Sequence, residues 1–373
     1  MPPIKPRLRG ASGEDARLPP TQKLRGRGAT ANMAGRYELQ DRTVFDDGWD
    51  IPEEEKLLRT EVTLERPRSA LSYNTSPDLG FDRSINPYRG CEHGCIYCFA
   101  RPTHAWLGLS PGLDFETRLI ARPGIGAVLD RELRAKSYVP ATIGIGTNTD
   151  PYQPVEAEHR VMREVLEVLS AFRHPFGITT KGTLIERDLD LLGPLADLGL
   201  MGVGVSLTTL NADLSRRLEP RAPAPARRLE VIRRLTAAGI PVRAMIAPVI
   251  PGLTDHELEA LLEAAAEAGA VSASYILLRL PLEVAPLFEA WLAEAEPGRA
   301  AHVMARMREM RGGKSYDADF AQRMKGQGLW AELLKRRFQI AAKRLGLNQA
   351  RPPFRTDLFR APSRPGDQLD LFS

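Results

Sequence analysis

Two hydrophobic patterns alternate between residue 86 and about residue 285. Short apolar runs rich in β-branched residues predict strands, and longer stretches with apolar residues three or four positions apart predict helices. Strands are expected at 142–146, 176–180, 202–207, 242–246 and 273–278, with a further one near 84–87. Helices are expected at 156–171, 184–198, 226–238 and 255–268.

Repeated strand–helix units are typical of a parallel sheet covered by helices. About six units fit this region, so the fold class predicted is α/β, a partial (β/α)6 TIM-like barrel over residues 86–285. Ligands in such barrels bind where the strands end, because the loops there vary without disturbing the core. Polar residues that follow a predicted strand are therefore the candidates for a site.

The flanking segments show neither pattern over most of their length. Residues 1–35 are rich in Pro, Gly and Arg with few large apolar side chains, which predicts a disordered basic arm. Residues 36–85 predict an extended lead-in that wraps the barrel. Residues 286–350 predict a basic helical extension, and residues 351–373 a proline-rich linker with a C-terminal peptide motif.

Composition is that of an ordinary soluble protein, with 43% hydrophobic and 26% charged residues in 373. No run of about 18 apolar residues and no signal-like start is visible, so we expect a cytoplasmic protein without a membrane partner.

Charge is unevenly distributed along the chain. The formal net charge is +4, yet residues 300–365 hold fifteen Lys or Arg against five Asp or Glu. Such a basic region indicates a nucleic acid partner or, alternatively, a solvated helix face. Charge alone leaves both interpretations open.

All three cysteines of the chain lie in one short stretch with the spacing C-x3-C-x2-C: Cys91, Cys95 and Cys98. An odd number of cysteines argues against a disulfide framework and for a soft metal centre. Three ligands on a four-iron cube would leave one iron open. The alternative is a structural zinc ion completed by His93 or His104, although zinc sites usually have a second cysteine pair further along the chain.

Two polar segments follow the predicted strands. In the loop 146–156, Asp150 or Glu156 could bind a ligand's ammonium group, or Thr149 and Asp150 could cap the next helix. Lys181 ends the next strand, and a lysine in a barrel mouth needs an anionic partner to offset its desolvation.

Two further candidates come later in the chain. Arg221 lies close to Pro220 and Pro223 and is predicted either to clamp a carboxylate or to form a surface salt bridge with Glu219. Ile250 belongs to an apolar turn that would suit an adenine ring.

The cysteine motif with Tyr97 before its last cysteine resembles the signature of the radical S-adenosylmethionine (SAM) superfamily. Residues 70–285 look like its branch related to spore photoproduct lyase, on matches at 84–91, 149–154, 180–181, Ser206 and the Pro-Gly turn at 251. The resemblance implies a [4Fe–4S] cluster on the three cysteines, with SAM chelated at the open iron and cleaved to a 5'-deoxyadenosyl radical. It also implies an electron donor, Tyr97 against adenine, and Lys181 and Ser206 on the methionine carboxylate or the ribose.

The implied activity is lyase-like repair of DNA or modification of another nucleic acid. Spore photoproduct lyases use an additional cysteine to donate a hydrogen atom, and this chain has no fourth cysteine. Tyr152 or Tyr275 are weak candidates for a radical relay. The alternatives are a radical enzyme that modifies a protein or small molecule, and a non-enzymatic scaffold with a structural metal.

The final residues resemble the peptide with which bacterial repair proteins bind the sliding clamp: Gln368, Leu369, Asp370, Leu371 and Phe372. A peptide behind a linker is well placed to dock its apolar side chains in a pocket. A terminal peptide that folds back on its own domain is the alternative.

Overall fold

The structure is a computed structural model that describes residues 26–29, 32–37 and 59–363. Most of the predicted basic arm and the C-terminal peptide 368–372 lie outside these residues. The strands are β1 (Glu61–Leu64), β2 (Ser72–Tyr73), β3 (Arg83–Ile85), β4 (Tyr88–Arg89), β5 (Arg118–Ala121), β6 (Ile143–Ile145), β7 (Phe176–Thr180), β8 (Met201–Ser206), β9 (Val242–Val249) and β10 (Ser272–Leu277).

The α-helices are α1 (Asp114–Thr117), α2 (Ile125–Leu133), α3 (Glu156–His159), α4 (Val161–Ala171), α5 (Leu189–Asp197), α6 (Ala212–Leu218), α7 (Pro225–Ala237), α8 (Leu258–Glu267), α9 (Val284–Ala295), α10 (Pro297–Glu309) and α11 (Gly328–Arg344). Short 3-10 helices occupy Arg101–Leu107, Leu184–Asp188 and Asp255–Glu257.

The main sheet has the spatial order β10-β9-β8-β7-β6-β3-β2. All pairs from β3 to β10 are parallel, and β2 joins β3 in the antiparallel sense. Helices lie between successive parallel strands, as a right-handed crossover requires. The α/β partial barrel predicted from the sequence is confirmed. Within the described residues its two edge strands, β10 and β2, do not pair with each other, so the barrel is not closed.

The helical pattern at 156–171 is interrupted, whereas the sequence predicted one continuous helix. Arg160 adopts a positive φ of 50° between α3 and α4. The Glu156 carboxylate then accepts the Met162 N–H at 3.0 Å, and so takes up a free donor in the first turn of α4. The hydrophobic periodicity of 156–171 could not predict this break, because it does not show that the Glu156 side chain caps α4.

A second, small sheet joins the lead-in to the barrel. β1 pairs in parallel with β5, and β5 pairs antiparallel with β4. The strand that leads directly into the cysteine motif, β4, is therefore held by β5, which β1 supports from its other side.

Residues 311–327, which we call the strap, cross between the two edges of the main sheet. On one side the Leu277 N–H at the end of β10 donates to Met324 O at 2.9 Å. On the other side Arg323 forms a bidentate pair with Asp78 in the turn before β3, at 2.5 and 2.6 Å. The open side of the barrel is thus covered by irregular chain rather than by strands.

Residues 351–363 pack against the opposite end of the barrel, where the strands begin, which we call the base. The Arg355 N–H donates to Gly199 O and the Arg360 N–H to Phe172 O, both at 3.1 Å. Phe359 stacks on Phe172 with ring centroids 6.0 Å apart. The first part of the predicted linker is therefore attached to the barrel. No helix among the described residues is long and apolar enough to cross a lipid bilayer.

Candidate active site

The three cysteines lie on one loop between β4 and the 3-10 helix Arg101–Leu107, at the end of the barrel where the strands finish, which we call the mouth. Cys91 and Cys95 are buried, Cys98 is partly exposed, and none forms a disulfide. The Cys91 N–H donates to Phe115 O at 2.9 Å and the Cys98 N–H to Cys95 O at 3.1 Å. The backbone of the loop is therefore fixed at both ends of the motif.

The loop can turn at Gly90 because this residue has no side chain. Its φ is +77°, a region that favours glycine. A Cβ there would lie 2.6 Å from Leu119 Cδ2 and 2.9 Å from Phe115 O. Any other residue would push the start of the motif away from its support.

Arg101 is the main support of the loop, and sequence reasoning missed it. Its guanidinium, with no exposed surface, donates to the carbonyls of Gly94, Cys95, Pro111 and Gly112. It also pairs with the buried Glu116 at 2.5 Å. A planar fork with five N–H donors can connect this many acceptors, which a lysine cannot.

The segment 26–29 packs behind the same loop. The N–H groups of Gly28 and Ala29 donate to the Glu116 carboxylate at 2.9 and 2.8 Å. A Cβ on Gly28 would lie 1.9 Å from Gly94 O, so the close approach requires glycine. These residues belong to the segment for which composition predicts a disordered arm, and here their backbone N–H groups satisfy a buried charge, which composition alone does not reveal.

Asp150 connects the polar loop after β6 to the cysteine loop. Its carboxylate accepts from the Thr180 hydroxyl at 2.6 Å and the Lys181 N–H at 2.7 Å, and lies 3.3 Å from His93 Nδ1. Burial alone would raise its pKa, but His93 and these donors hold the pKa of Asp150 at about 2. The N-cap of α3 is Val155, so Asp150 does not cap this helix itself, but its carboxylate also accepts the Tyr152 N–H at 2.9 Å in the turn before the helix.

Glu219 is the centre of a buried charge network under Tyr97. It pairs with Arg228 and accepts from the Tyr97 hydroxyl, and the Thr208 hydroxyl donates to it at 2.7 Å. Burial would raise the pKa of this carboxyl, but Arg228 and Lys181 hold it at about 2. Glu219 therefore remains an anion in the interior of the mouth.

Lys181 lies above Tyr97, with its Nζ 5.9 Å from the ring centroid. Burial would lower its pKa, whereas the facing Cys95 and Glu219 raise it above the ordinary value. The lysine thus stays cationic beside the cysteine loop, as the sequence argument for an anionic partner anticipated.

Arg221 pairs with Glu92 at 3.1 Å, and its N–H donates to His93 O at 3.3 Å. The alternative salt bridge to Glu219 is wrong, because Arg228 occupies that carboxylate. Arg221 nevertheless lies at the cysteine loop, and its side chain is 38% exposed.

The remaining candidates differ in position. Thr149 is buried and its hydroxyl donates to Tyr88 O at 3.1 Å. Ser206 is buried at the end of β8, where its carbonyl accepts from Arg228 at 3.2 Å. Ile250 lies in the core without exposed surface, so its side chain is not presented to a ligand. Glu156 is likewise enclosed and bound by Tyr88 and Arg187.

Three cysteine thiols are the ligand type that an iron–sulfur cluster takes, but no group of three or more His, Cys, Asp or Glu side chains within the described residues is arranged to hold a metal ion. Burial raises the pKa of the Cys95 thiol to about 12 and that of Cys91 well above its ordinary value. Buried thiols of this kind ionise when a metal takes the place of the proton. Of the two histidines considered for zinc, His93 faces Asp150 and the Nε2 of His104 lies 3.0 Å from Arg118 O.

Comparison with known proteins agrees with this geometry. The family model described as the radical SAM superfamily matches residues 85–265. An uncharacterized protein of Mycobacterium tuberculosis (strain ATCC 25618 / H37Rv) is 41% identical over 234 residues, which cover 62% of this chain and 68% of that one. The chain belongs to the radical SAM superfamily. The family implies that this radical SAM protein binds SAM and an iron–sulfur cluster.

More distant relatives support the assignment of the fold. An uncharacterized protein of Methanocaldococcus jannaschii is 26% identical over 201 residues, covering 54% of this chain and 73% of that one. Among solved structures, a double mutant of spore photoproduct lyase with bound AdoMet and dinucleoside spore photoproduct matches with a TM-score of 0.51. At 15% identity over 77% of this chain and 80% of that one, this match shows a shared fold.

Proposed function

We propose that this radical SAM protein is an enzyme in which Cys91, Cys95 and Cys98 hold a [4Fe–4S] cluster with one iron open to SAM. When bound and reduced, the cluster supplies the electron that cleaves SAM to a 5'-deoxyadenosyl radical. The observation that carries the proposal is the cysteine loop. Three free thiols, mostly buried, lie on a backbone that Arg101 and Gly90 fix at the mouth of the barrel.

SAM carries a carboxylate, a ribose and an adenine ring that need partners at the mouth. We propose Lys181, Arg221 and Ser206 as the partners of the carboxylate or the ribose, and Tyr97 as that of adenine. Asp150 and Thr149 hold the loop after β6 in place, because the Asp150 carboxylate accepts the Lys181 N–H and the Thr149 hydroxyl donates to Tyr88 O. Glu219 favours the charged forms of Lys181 and Arg228 and leaves the cysteine thiols free for the cluster.

We further propose that the substrate is a nucleic acid, with repair of a DNA lesion as the first reaction to test. Three observations support it: the shared fold with spore photoproduct lyase, the basic charge of the chain and the peptide at 368–372. The bacterial sliding clamp is the partner proposed for that peptide, whose residues lie outside the described structure. The absence of a fourth cysteine in the sequence requires a hydrogen donor other than an additional cysteine of this chain.

The test is anaerobic reconstitution of the full chain with iron and sulfide, followed by reduction with SAM and assay of 5'-deoxyadenosine. Wild-type protein is expected to produce it, and Cys98→Ala to produce none. Lys181→Ala should raise KM for SAM, while the matched control Lys136→Ala, an exposed lysine after α2, should not.

The opposite result is also defined. If iron stays at trace levels while one zinc ion co-purifies with the protein, the three cysteines are a structural metal site and the radical enzyme is excluded.

A further inference from the structure

A groove of about 740 Å³ lies beside the mouth, outside the site described above. Three parts of the chain build most of it: residues 65–72 after β1, the segment 86–89 that leads to the cysteines, and the 3-10 helix that follows them. Arg122 after β5 and Asn148 after β6 complete the lining. We call it the flank groove. None of its charged residues was a candidate in the sequence analysis.

The flank groove is strongly basic. Four arginines line it, Arg66, Arg68, Arg89 and Arg122, against the single acid Glu65. Arg89 and Arg122 share that carboxylate, each with a nitrogen 3.4 Å from Glu65 Oε1. Arg66 and Arg68 are exposed, and neither pairs with an acidic side chain of the described residues. The groove therefore presents an excess of positive charge.

An exposed aromatic pair stands at the same groove. Trp106 is 69% exposed and packs against Tyr37, itself 46% exposed, with ring centroids 4.6 Å apart. Contiguous exposed aromatic surface marks an interaction site more often than a single exposed side chain does. Aromatic rings beside a basic track are the combination that binds single-stranded nucleic acids, because bases stack on the rings while phosphates meet the cations.

The groove lies next to the cysteine loop along the chain. Arg89 precedes Cys91 by two residues, so their Cα atoms are at most about 7.6 Å apart. Asn86 and Asn148, which follow β3 and β6, line the groove where it meets the mouth, and the Asn148 N–H donates to Asn86 Oδ1 at 3.0 Å. A strand bound along the arginines would pass directly beside the cysteine loop.

We propose that the flank groove binds a single-stranded or locally opened stretch of nucleic acid, with phosphates on the arginines and a base stacked on Trp106, next to the cysteine loop. Enzymes that act on a base must take it out of the duplex stack, and a groove of this kind holds the strand from which a base is extruded. The flank groove would be the substrate-binding surface of the enzyme proposed above, and its role in the reaction rests on that proposed function.

The experiment measures binding of a fluorescein-labelled, mixed-sequence 12-nucleotide DNA strand to the reconstituted full chain by anisotropy, at salt from 50 to 200 mM. Arg66→Ala with Arg68→Ala is expected to weaken binding about tenfold and to lower the salt slope by about 1.4, or about 0.7 for each lost phosphate contact. Trp106→Ala should weaken binding about tenfold, and Trp106→Phe should restore most of the affinity.

The matched control is Lys335→Ala with Arg336→Ala, which removes the same charge from exposed positions on α11. It should leave the affinity and the salt slope within twofold of wild type. If this control weakens binding more than the groove variant does, the basic helix is the nucleic acid surface and the proposal is wrong.

Two further readouts separate the possible failures. 5'-deoxyadenosine formed without any DNA reports on the proposed function alone, and it should be the same in the groove variants and in wild type. If that product forms while the 12-nucleotide strand does not bind, the flank groove fails and the radical enzyme stands. If poly-L-glutamate of equal charge displaces the strand as well as unlabelled DNA does, the groove binds acidic peptides instead.

Discussion

The two ends of the barrel are held together by different forces. At the mouth, buried arginines and glutamates cross-link the loops, as Arg101 does with Glu116 and Arg228 with Glu219. At the base, residues 351–363 close the barrel with aromatic packing of Phe359 on Phe172, His174 and Tyr138. Burying a charge costs desolvation free energy, whereas burying an apolar side chain stabilises the fold. The comparison therefore indicates that the mouth serves to bind polar ligands and the base serves stability.

The largest effect is expected at the mouth. Arg101→Ala leaves Glu116 charged, buried and without its cation, which should cost about 3–5 kcal/mol of unfolding free energy. Iron bound after reconstitution should fall in parallel, because four carbonyls around the motif lose their donor. Urea unfolding and iron analysis measure the two losses. Full iron binding in a folded Arg101→Ala protein would contradict the role given to this residue.

The next effect is a pH dependence at the base. His174 is buried, with Tyr138 and Phe359 against its ring and Arg83 nearby, and burial lowers its pKa to about 4. The unfolded chain takes up this proton near pH 6.5 and the folded chain only near pH 4. Stability is therefore complete above pH 6.5, and about 3 kcal/mol is lost as the pH falls to 4.

Urea midpoints at pH 7, 6, 5 and 4 measure this loss. His174→Gln should flatten the profile over the same interval. An unchanged slope in that variant would show that other groups cause the acid sensitivity.

Removing an aromatic ring from the base should have a smaller effect that spares the mouth. Phe359→Ala is expected to cost about 2 kcal/mol, because the ring is only partly buried. Iron binding should match wild type, in contrast to Arg101→Ala. Leu329→Ala, which removes an apolar side chain that is 81% exposed on α11, serves as the control and should change the unfolding free energy by less than about 0.5 kcal/mol.

The smallest effect is expected for an ion pair of the same chemistry at the surface. Arg337 on α11 meets Glu259 on α8 at 2.5 Å with both side chains partly exposed. Arg337→Ala should cost no more than about 0.5 kcal/mol in urea unfolding. A loss as large as that of Arg101→Ala would show that burial does not decide the value of these pairs.

Much of the barrel could be predicted from the sequence. The strand at 176–180 is found at Phe176–Thr180, and the strand predicted at 242–246 begins as expected but continues to Val249. Local patterns are sufficient here because the helices bury one regular face and the central strands are short runs of mostly buried residues. The cysteine loop was also recognisable, since its chemistry is contained in eight consecutive residues.

The supports of the site could not be predicted in this way. Arg101 and Glu116 are fifteen residues apart, and the backbone that completes their network comes from residues 28 and 29. The flank groove likewise collects arginines from positions 66, 68, 89 and 122, none of which stands out as a local charge excess. The excess of positive charge that the sequence shows at 300–365 includes Arg337 and Arg344. Both form ion pairs with glutamates of α8.

The strap has a consequence for how the protein behaves in a crowded solution. An incomplete barrel keeps sheet edges, and an unpaired edge is a template on which a strand from another molecule can add. Because Met324 takes up the Leu277 N–H of β10 and Arg323 fastens the strap across the gap to Asp78, that template is covered by the chain's own backbone. A single proteolytic cut within residues 313–320 should therefore cause self-association of the protein before it causes unfolding.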